Sequence, residues 1–151
     1  LRELLLGYRP MLTFLRDGKV VPGPVTVVIS GNRDWTAMVS DRDCPALYDG
    51  RIDDLAAEPD SSLIPLISAS WTDEFTWKGQ GNLPGADAVK MTGIIDAAHR
   101  QGRRVRFWAT DLPEGGDQEH VWNLLREAGV DYINTDRLAE FNAYAGKSPH
   151  P

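Results

Sequence analysis

Arg106, Trp108 and Thr110 stand two residues apart in the stretch RRVRFWATD, residues 103–111. A strand has a period of two, so these side chains would share one face while Val105, Phe107 and Ala109 share the other. Valine, phenylalanine and tryptophan favour a strand. A strand inside a globular domain nevertheless rarely buries an arginine without a partner. A guanidinium beside an indole suits the capture of an anion: the first supplies a charged fork and the second a flat wall. A carboxylate such as Asp49 is the expected partner of Arg106. The competing reading makes Arg106 one half of a structural ion pair, costly to break yet without a chemical role.

The same period can be laid over the other apolar runs. In VTVVIS (residues 25–30), Ser30 and Asn32 continue the parity of Val28, with Val27 and Ile29 opposite. Asp49 and Arg51 share a parity in ALYDGRI, Ser68 and Ser70 in PLISAS, and Tyr132, Asn134 and Asp136 in VDYINTD. Each run therefore carries hydrophilic groups on one parity towards its C-terminal end. Ser30, Asn32, Asp49, Arg51, Ser70, Arg106, Trp108, Asn134 and Asp136 are the candidate substrate-binding residues. For Ser30, Asn32, Thr110 and Asn134 the plainer alternative is that they satisfy turns at strand ends.

An open parallel sheet covered by helices on both faces would need apolar residues on both parities. A barrel fits better, because its outer parity packs on helices and its inner parity can be polar near the mouth. Active sites of such barrels lie at the C-terminal ends of the strands.

The intervening segments support parallel βα units. LRELLLGYRPMLTFLR opens with a helical pattern interrupted by Pro10. Met91, Ile94, Ile95 and Ala98 form one apolar stripe, stopped at Gly102; Val121, Leu124, Leu125 and Ala128 form a second, stopped at Gly129. Asp136 is placed to cap a final helix, RLAEFNAYAG. Helix, glycine and strand recur twice in the last third with short connections. The expected fold class is α/β, the C-terminal part of a (βα)8 barrel with about five parallel strands. Five strands do not close an eight-stranded barrel, and the chain starts at Leu1, without methionine, inside a helical pattern. An incomplete barrel spanning 1–146 is therefore expected, with a disordered tail over 147–151.

The 151 residues suffice for one domain with a core. A net charge of -6 argues against a nucleic-acid partner. Cys44 is the only cysteine, so no internal disulfide can form, and the sequence has neither CxxC nor a Cys/His zinc pattern. No apolar run approaches the roughly 20 residues of a membrane span, so no transmembrane segment is expected, and localisation is left open, export depending on an upstream signal peptide. The loop WTDEFTWKGQGNLPG, rich in aromatics and glycine, is expected to lid a pocket, with Trp71, Phe75 and Trp77 as its apolar contacts; the alternative is a packed Ω-loop.

AHRQGRRVRFWATDLP together with VWNLLREAGVDYINTDRLAEF resembles the C-terminal end of phosphodiesterases of the PI-PLC-like superfamily, which includes the glycerophosphodiester phosphodiesterases. GPVTVVISGNR, YDGRIDDL and LISASWTDEFTWKGQG are similar to the branch named for altered inheritance of mitochondria protein. VRFWAT and the AGVDYINTD segment are the most specific pieces. The resemblance implies a (βα)8 barrel that hydrolyses a phosphodiester with a bound divalent cation, Mg or Ca. The family's catalytic histidines and Glu/Asp metal cluster lie on its first four strands, so both are expected upstream of Leu1. No catalytic residue and no metal ligand is assigned here; His99, His120 and His150 are read as surface residues. What the resemblance implies for this chain is substrate binding. Trp108 corresponds to the aromatic of the wider family's WTVN strand, although Asp111 stands where that pattern ends in asparagine. Ser30 and Asn32 would line the mouth, and Arg51 or Arg106 would neutralise a phosphate.

The expected function is thus the substrate-binding half of a metal-dependent phosphoric diester hydrolase. Its substrate would be a glycerophosphodiester or a phosphoinositide-like phospholipid headgroup, and these residues alone would be inactive. A noncatalytic phosphate- or phosphosugar-binding half-barrel is one alternative. A glycosidase-like barrel using Asp49 and Asp136 as an acid/base pair is another. A dimer is expected if the half-barrel is itself a finished product.

Overall fold

The structure, a computed structural model, describes residues 1–112 and 117–147. It divides into two compact units, Leu1–Ile67 with Gln101–Arg103, and Ser68–Arg100 with Arg104 onwards.

The first unit opens with a short helix α1 (Arg2–Leu6) and a single 3-10 turn over Arg9–Met11. The helical pattern expected through Arg16 stops there. Pro10 cannot continue an α-helix, and Asp17 and Gly18 both take positive φ, 47° and 74°. That pair makes the tight turn of a hairpin between β1 (Phe14–Arg16) and β2 (Lys19–Val21), with Leu15 opposite Val20. Next come β3 (Val28–Ile29), α2 (Trp35–Ser40) capped by Asp34, and β4 (Asp43–Cys44), which pairs antiparallel with β1. β5 (Leu47–Gly50) lies parallel to β3, with Val28 opposite Leu47, and leads into α3 (Asp53–Ala57). The regular part of VTVVIS is shorter than expected; Val25 instead makes an isolated parallel bridge with Leu12. Cys44 is buried in this unit, its thiol directed to the Ala46 carbonyl.

β6 (Leu66–Ser70) begins in the first unit, where Asp49 pairs with Leu66, and continues into the second. The second unit then adds α4 (Trp71–Glu74), α5 (Gly85–Arg100), β7 (Arg104–Trp108), α6 (Gln118–Glu127), β8 (Tyr132–Ile133) and α7 (Leu138–Lys147). The strand order is β3-β5-β6-β7-β8, a five-stranded parallel sheet built from the five runs expected. Met91, Ile94, Ile95 and Ala98 of α5 are buried, as are Val121 and Leu125 of α6. Gly129, at φ 86°, ends α6 while the Val130 amide donates back to the Leu125 carbonyl, a turn that a Cβ would strain. Lys147 closes α7, so the tail expected from 147 starts inside a helix; 148–151, with His150, lie outside the described residues.

Alternation on β7 holds as far as the strand does. Val105 and Phe107 are fully buried, whereas Trp108 is 43% exposed. It then breaks, because Ala109 adopts the left-handed conformation at φ 56°. Thr110 therefore does not continue the face of Arg106 and Trp108, as expected from the period, but is buried.

The loop after β6 is a core element and not the expected lid. Trp71, Phe75 and Trp77 are 0%, 3% and 4% exposed, and Trp71 stacks on Phe75 with its ring 5.8 Å from that of Phe107. The Trp71 indole N–H donates to the Trp77 carbonyl, and the Trp77 indole N–H to the Gln80 carbonyl. Large rings gain most when fully removed from water, and these three join Phe107, Trp122 and Leu125 in the core of their unit. Asp87 pins the loop to α5: its carboxylate accepts the Thr76 and Trp77 amides at 2.9 Å and the Thr76 hydroxyl at 3.0 Å.

Candidate binding site at the strand ends

In the first unit the polar groups gather where β3 and β5 end. The register sets Ile29 beside Tyr48, so the next residues, Ser30 and Asp49, are neighbours on one parity. Ser30 Oγ donates to Asp49 Oδ2 at 3.0 Å, and Asp49 is buried. Arg51 is exposed and its Nη2 donates to the Gly31 carbonyl at 3.3 Å. Asn32 is exposed at the end of the same turn. The fastening of this turn is not among the residues expected at the site: Arg33 Nη1 donates to Asp54 Oδ2 at 2.6 Å, and the Arg51 amide reaches the same oxygen at 2.7 Å. One buried carboxylate thus holds the loops that follow two neighbouring strands. Its local half is short-range, an acid three residues beyond the amide it accepts, but RIDD is not the Ser/Thr-x-x-Glu/Gln capping box that would have marked it. The Arg33 half spans 21 residues and leaves no local pattern.

The second unit repeats the device with other residues. On β6, Ser68 and Ser70 are buried; Ser68 Oγ accepts from Arg106 Nε at 3.1 Å, and Ser70 Oγ shares a hydrogen bond with Thr72. Arg106 is half-buried, with the exposed Trp108 indole next on its parity. Beyond the bend at Ala109, Thr110 Oγ1 donates to the Asn134 carbonyl at 2.6 Å, while the Gln118 amide donates to the Thr110 carbonyl at 3.0 Å. Asp111 then takes the Thr135 hydroxyl on one oxygen and the Asp136 amide on the other, both at 2.5 Å. Asp136 is exposed and stands two residues ahead of α7, so its expected capping of that helix is replaced by this turn. The Arg137 amide donates to Thr135 Oγ1.

At the opposite ends of the same strands the charged groups are structural. Arg103 is 3% exposed and satisfied by neutral partners: the Gln101 side-chain oxygen and the backbone carbonyls of Ile64 and Pro59. Burial holds its pKa below the usual arginine value. His99 meets Asp131 at 2.9 Å on the second unit's surface, and the same Asp131 oxygen accepts the Val105 amide.

The segment that holds β7, β8 and their C-terminal turns is also the one that carries a family signature. Residues 104–139 match the glycerophosphoryl diester phosphodiesterase family. That family folds as a (βα)8 barrel, and the five-stranded parallel sheet is consistent with part of one. Two curated relatives are similar to this chain beyond that segment. The altered inheritance of mitochondria protein 6 homolog of Arthroderma benhamiae is 28% identical over 127 residues, which cover 82% of this chain and 40% of that protein. Altered inheritance of mitochondria protein 6 of Eremothecium gossypii is 28% identical over an alignment of 172 residues, covering 90% of this chain and again 40% of the relative. The chain therefore spans about two fifths of the length of the curated relatives it matches. No solved structure matches.

The resemblance implies a divalent cation, which would need several hard oxygen ligands converging on one point. Among the described residues no group of three or more histidine, cysteine, aspartate or glutamate side chains is placed to hold one. The donor set of the described residues does not fit a metal. No helix among the described residues is long and apolar enough to cross a membrane. A cavity of about 370 Å³ in the second unit is lined by Asp117, Trp122, Arg137 and Glu140 among others, and by none of the candidate residues.

Proposed function

We propose that this chain is the substrate-binding part of a phosphoric diester hydrolase acting on a glycerophosphodiester or a phosphoinositide-like headgroup. The observation that carries the reading is a coincidence of place. The residues matched to the phosphodiesterase family include Arg106, Trp108, Asn134 and Asp136, a cation, an exposed indole and two hydrogen-bonding groups at the ends of parallel strands. Such strand ends are where barrels of this kind do chemistry. Arg106 is suited to a phosphate oxygen through its fork of donors, and Trp108 to the glycerol or inositol carbons through its flat face. In the first unit, Ser30, Asn32, Asp49 and Arg51 are proposed for the same task, with Arg51 as the exposed cation. Ser70 is proposed as a hydroxyl contact. The acid, the base and any Mg or Ca of the whole protein are proposed to come from outside these residues.

The test is a pair of measurements on the purified chain. Titration with sn-glycerol 3-phosphate, followed by amide chemical shifts, is expected to saturate, and to weaken at least about tenfold in Arg106→Met if a charged hydrogen bond of roughly 1.5–3 kcal/mol is lost. Glycerophosphocholine with added Mg or Ca is expected to stay intact. Turnover by the pure chain would sink the division of labour, and absence of any saturable shift would sink the binding reading. A noncatalytic phosphate-binding module is the second reading, resting on the same strand-end cations and exposed indole. It predicts the same titration but no hydrolysis even by the longer protein.

A further inference from the structure

We infer that Asp111 is a positioning residue, whose carboxylate sets the placement of Trp108 and of the Asp136 turn for ligand binding. This rests on the proposal that the strand ends of the second unit bind ligand. Ala109 holds a left-handed φ of 56°, which an alanine adopts only when its surroundings require it. The next two residues impose that requirement. Thr110 is buried and fixed on both sides, its hydroxyl on the Asn134 carbonyl and its own carbonyl under the Gln118 amide. Asp111 then receives two donors from the turn after β8, the Thr135 hydroxyl and the Asp136 amide. Both of its oxygens are used on neighbours from the next strand's end. Because the bend is imposed from its C-terminal side, the direction in which β7 delivers Trp108 depends on that anchor. The anchor also consumes the amide of Asp136, which leaves that residue's side chain at the surface instead of bent back towards a helix.

A second feature makes the carboxylate specific. Both groups facing Asp111 are donors, and a carboxylate accepts on both oxygens. Asparagine would present one amide nitrogen to a donor, so one of the two contacts must break or the threonine hydroxyl must turn round.

The test uses Asp111→Asn and Thr135→Val, near-isosteric changes that avoid gutting the turn, in a Trp35→Phe background. Trp35 is 45% exposed, whereas Trp71, Trp77 and Trp122 are buried, so in that background acrylamide quenching reads chiefly Trp108. Both variants are expected to change the Trp108 quenching constant about twofold, with thermal midpoints near that of the parent, and to weaken sn-glycerol 3-phosphate binding about fivefold or more. An unchanged quenching constant in both variants overturns the inference, whatever the ligand does. A changed constant in a parent that binds no glycerol 3-phosphate keeps Asp111 as the anchor of Trp108 and removes the ligand reading instead. If quenching changes and binding in the variants equals that of the parent, the role of Asp111 in binding is overturned.

Discussion

Three arginines within four residues, Arg103, Arg104 and Arg106, meet three different environments. Arg103 is buried against two backbone carbonyls and a glutamine oxygen. Arg104 is exposed and hydrogen-bonds the Tyr132 hydroxyl, with its guanidinium 5.5 Å from that ring. Arg106 is half-buried beside Ser68. The most stabilising of the three is expected to be Arg103, since its removal leaves buried carbonyls without donors. Arg103→Met is expected to cost about 2–4 kcal/mol, read as a shift of the urea midpoint at unchanged slope. Arg104→Met, a surface change, is expected to move it little.

Asp87 gives the residue scale a pH dependence. Burial alone would raise its pKa, but the amides of Trp77 and Thr76 and the Thr76 hydroxyl outweigh that and hold it below the usual carboxylate range. A carboxylate with a depressed folded pKa stabilises the fold above its unfolded pKa of about 4, and that contribution disappears as pH falls through the folded value. Asp87→Asn is therefore expected to lower the melting temperature at pH 7 and to flatten its decline below pH 4. Parallel curves for parent and variant across that range would contradict this account.

At the scale of elements, close approach dominates. Gly50 ends β5 where a Cβ would lie 2.5 Å from the Ile64 side chain and 2.8 Å from the Leu66 carbonyl. Backbone cannot yield as a side-chain tip does, so Gly50→Ala is expected to destabilise by about 1–3 kcal/mol, measured by thermal or urea unfolding. Gly93, with open space around it, is the control.

The elements also show what one-dimensional pattern can carry. All five parallel strands stand within the apolar runs that point to them, although only β7 shows alternate burial, and β6 is buried at every position. The N-terminal hairpin stays hidden because leucines and arginines over 1–16 mimic a helix, and only Asp17-Gly18 betrays the turn. The face of Thr110 escapes the period because a single left-handed residue, Ala109, resets the alternation. The aromatic loop reads alike as lid or core, since composition does not say which way a ring points. Asp54 and Asp111, which fasten the strand-end loops, act over 21 and 24 residues, and no local rule reaches that far.

On the scale of the whole molecule, the described residues supply cations, an exposed indole and hydroxyls, but no metal cluster. A longer polypeptide containing them is expected to hydrolyse glycerophosphodiesters in a reaction abolished by EDTA, while residues 1–151 alone do not. Hydrolysis that survives chelation would place the chemistry outside the resembled family.

Cys44 has a practical corollary. It is the chain's one thiol and is 2% exposed. A maleimide dye or nitroxide added to the native protein would therefore find almost nothing to label. A cysteine introduced at exposed Asn32 or Asp136 would become a single reactive address, with no background mutation needed to silence the native sulfur. Distances between spin labels, or the fluorescence of one dye, could then follow either strand-end turn as ligand is added.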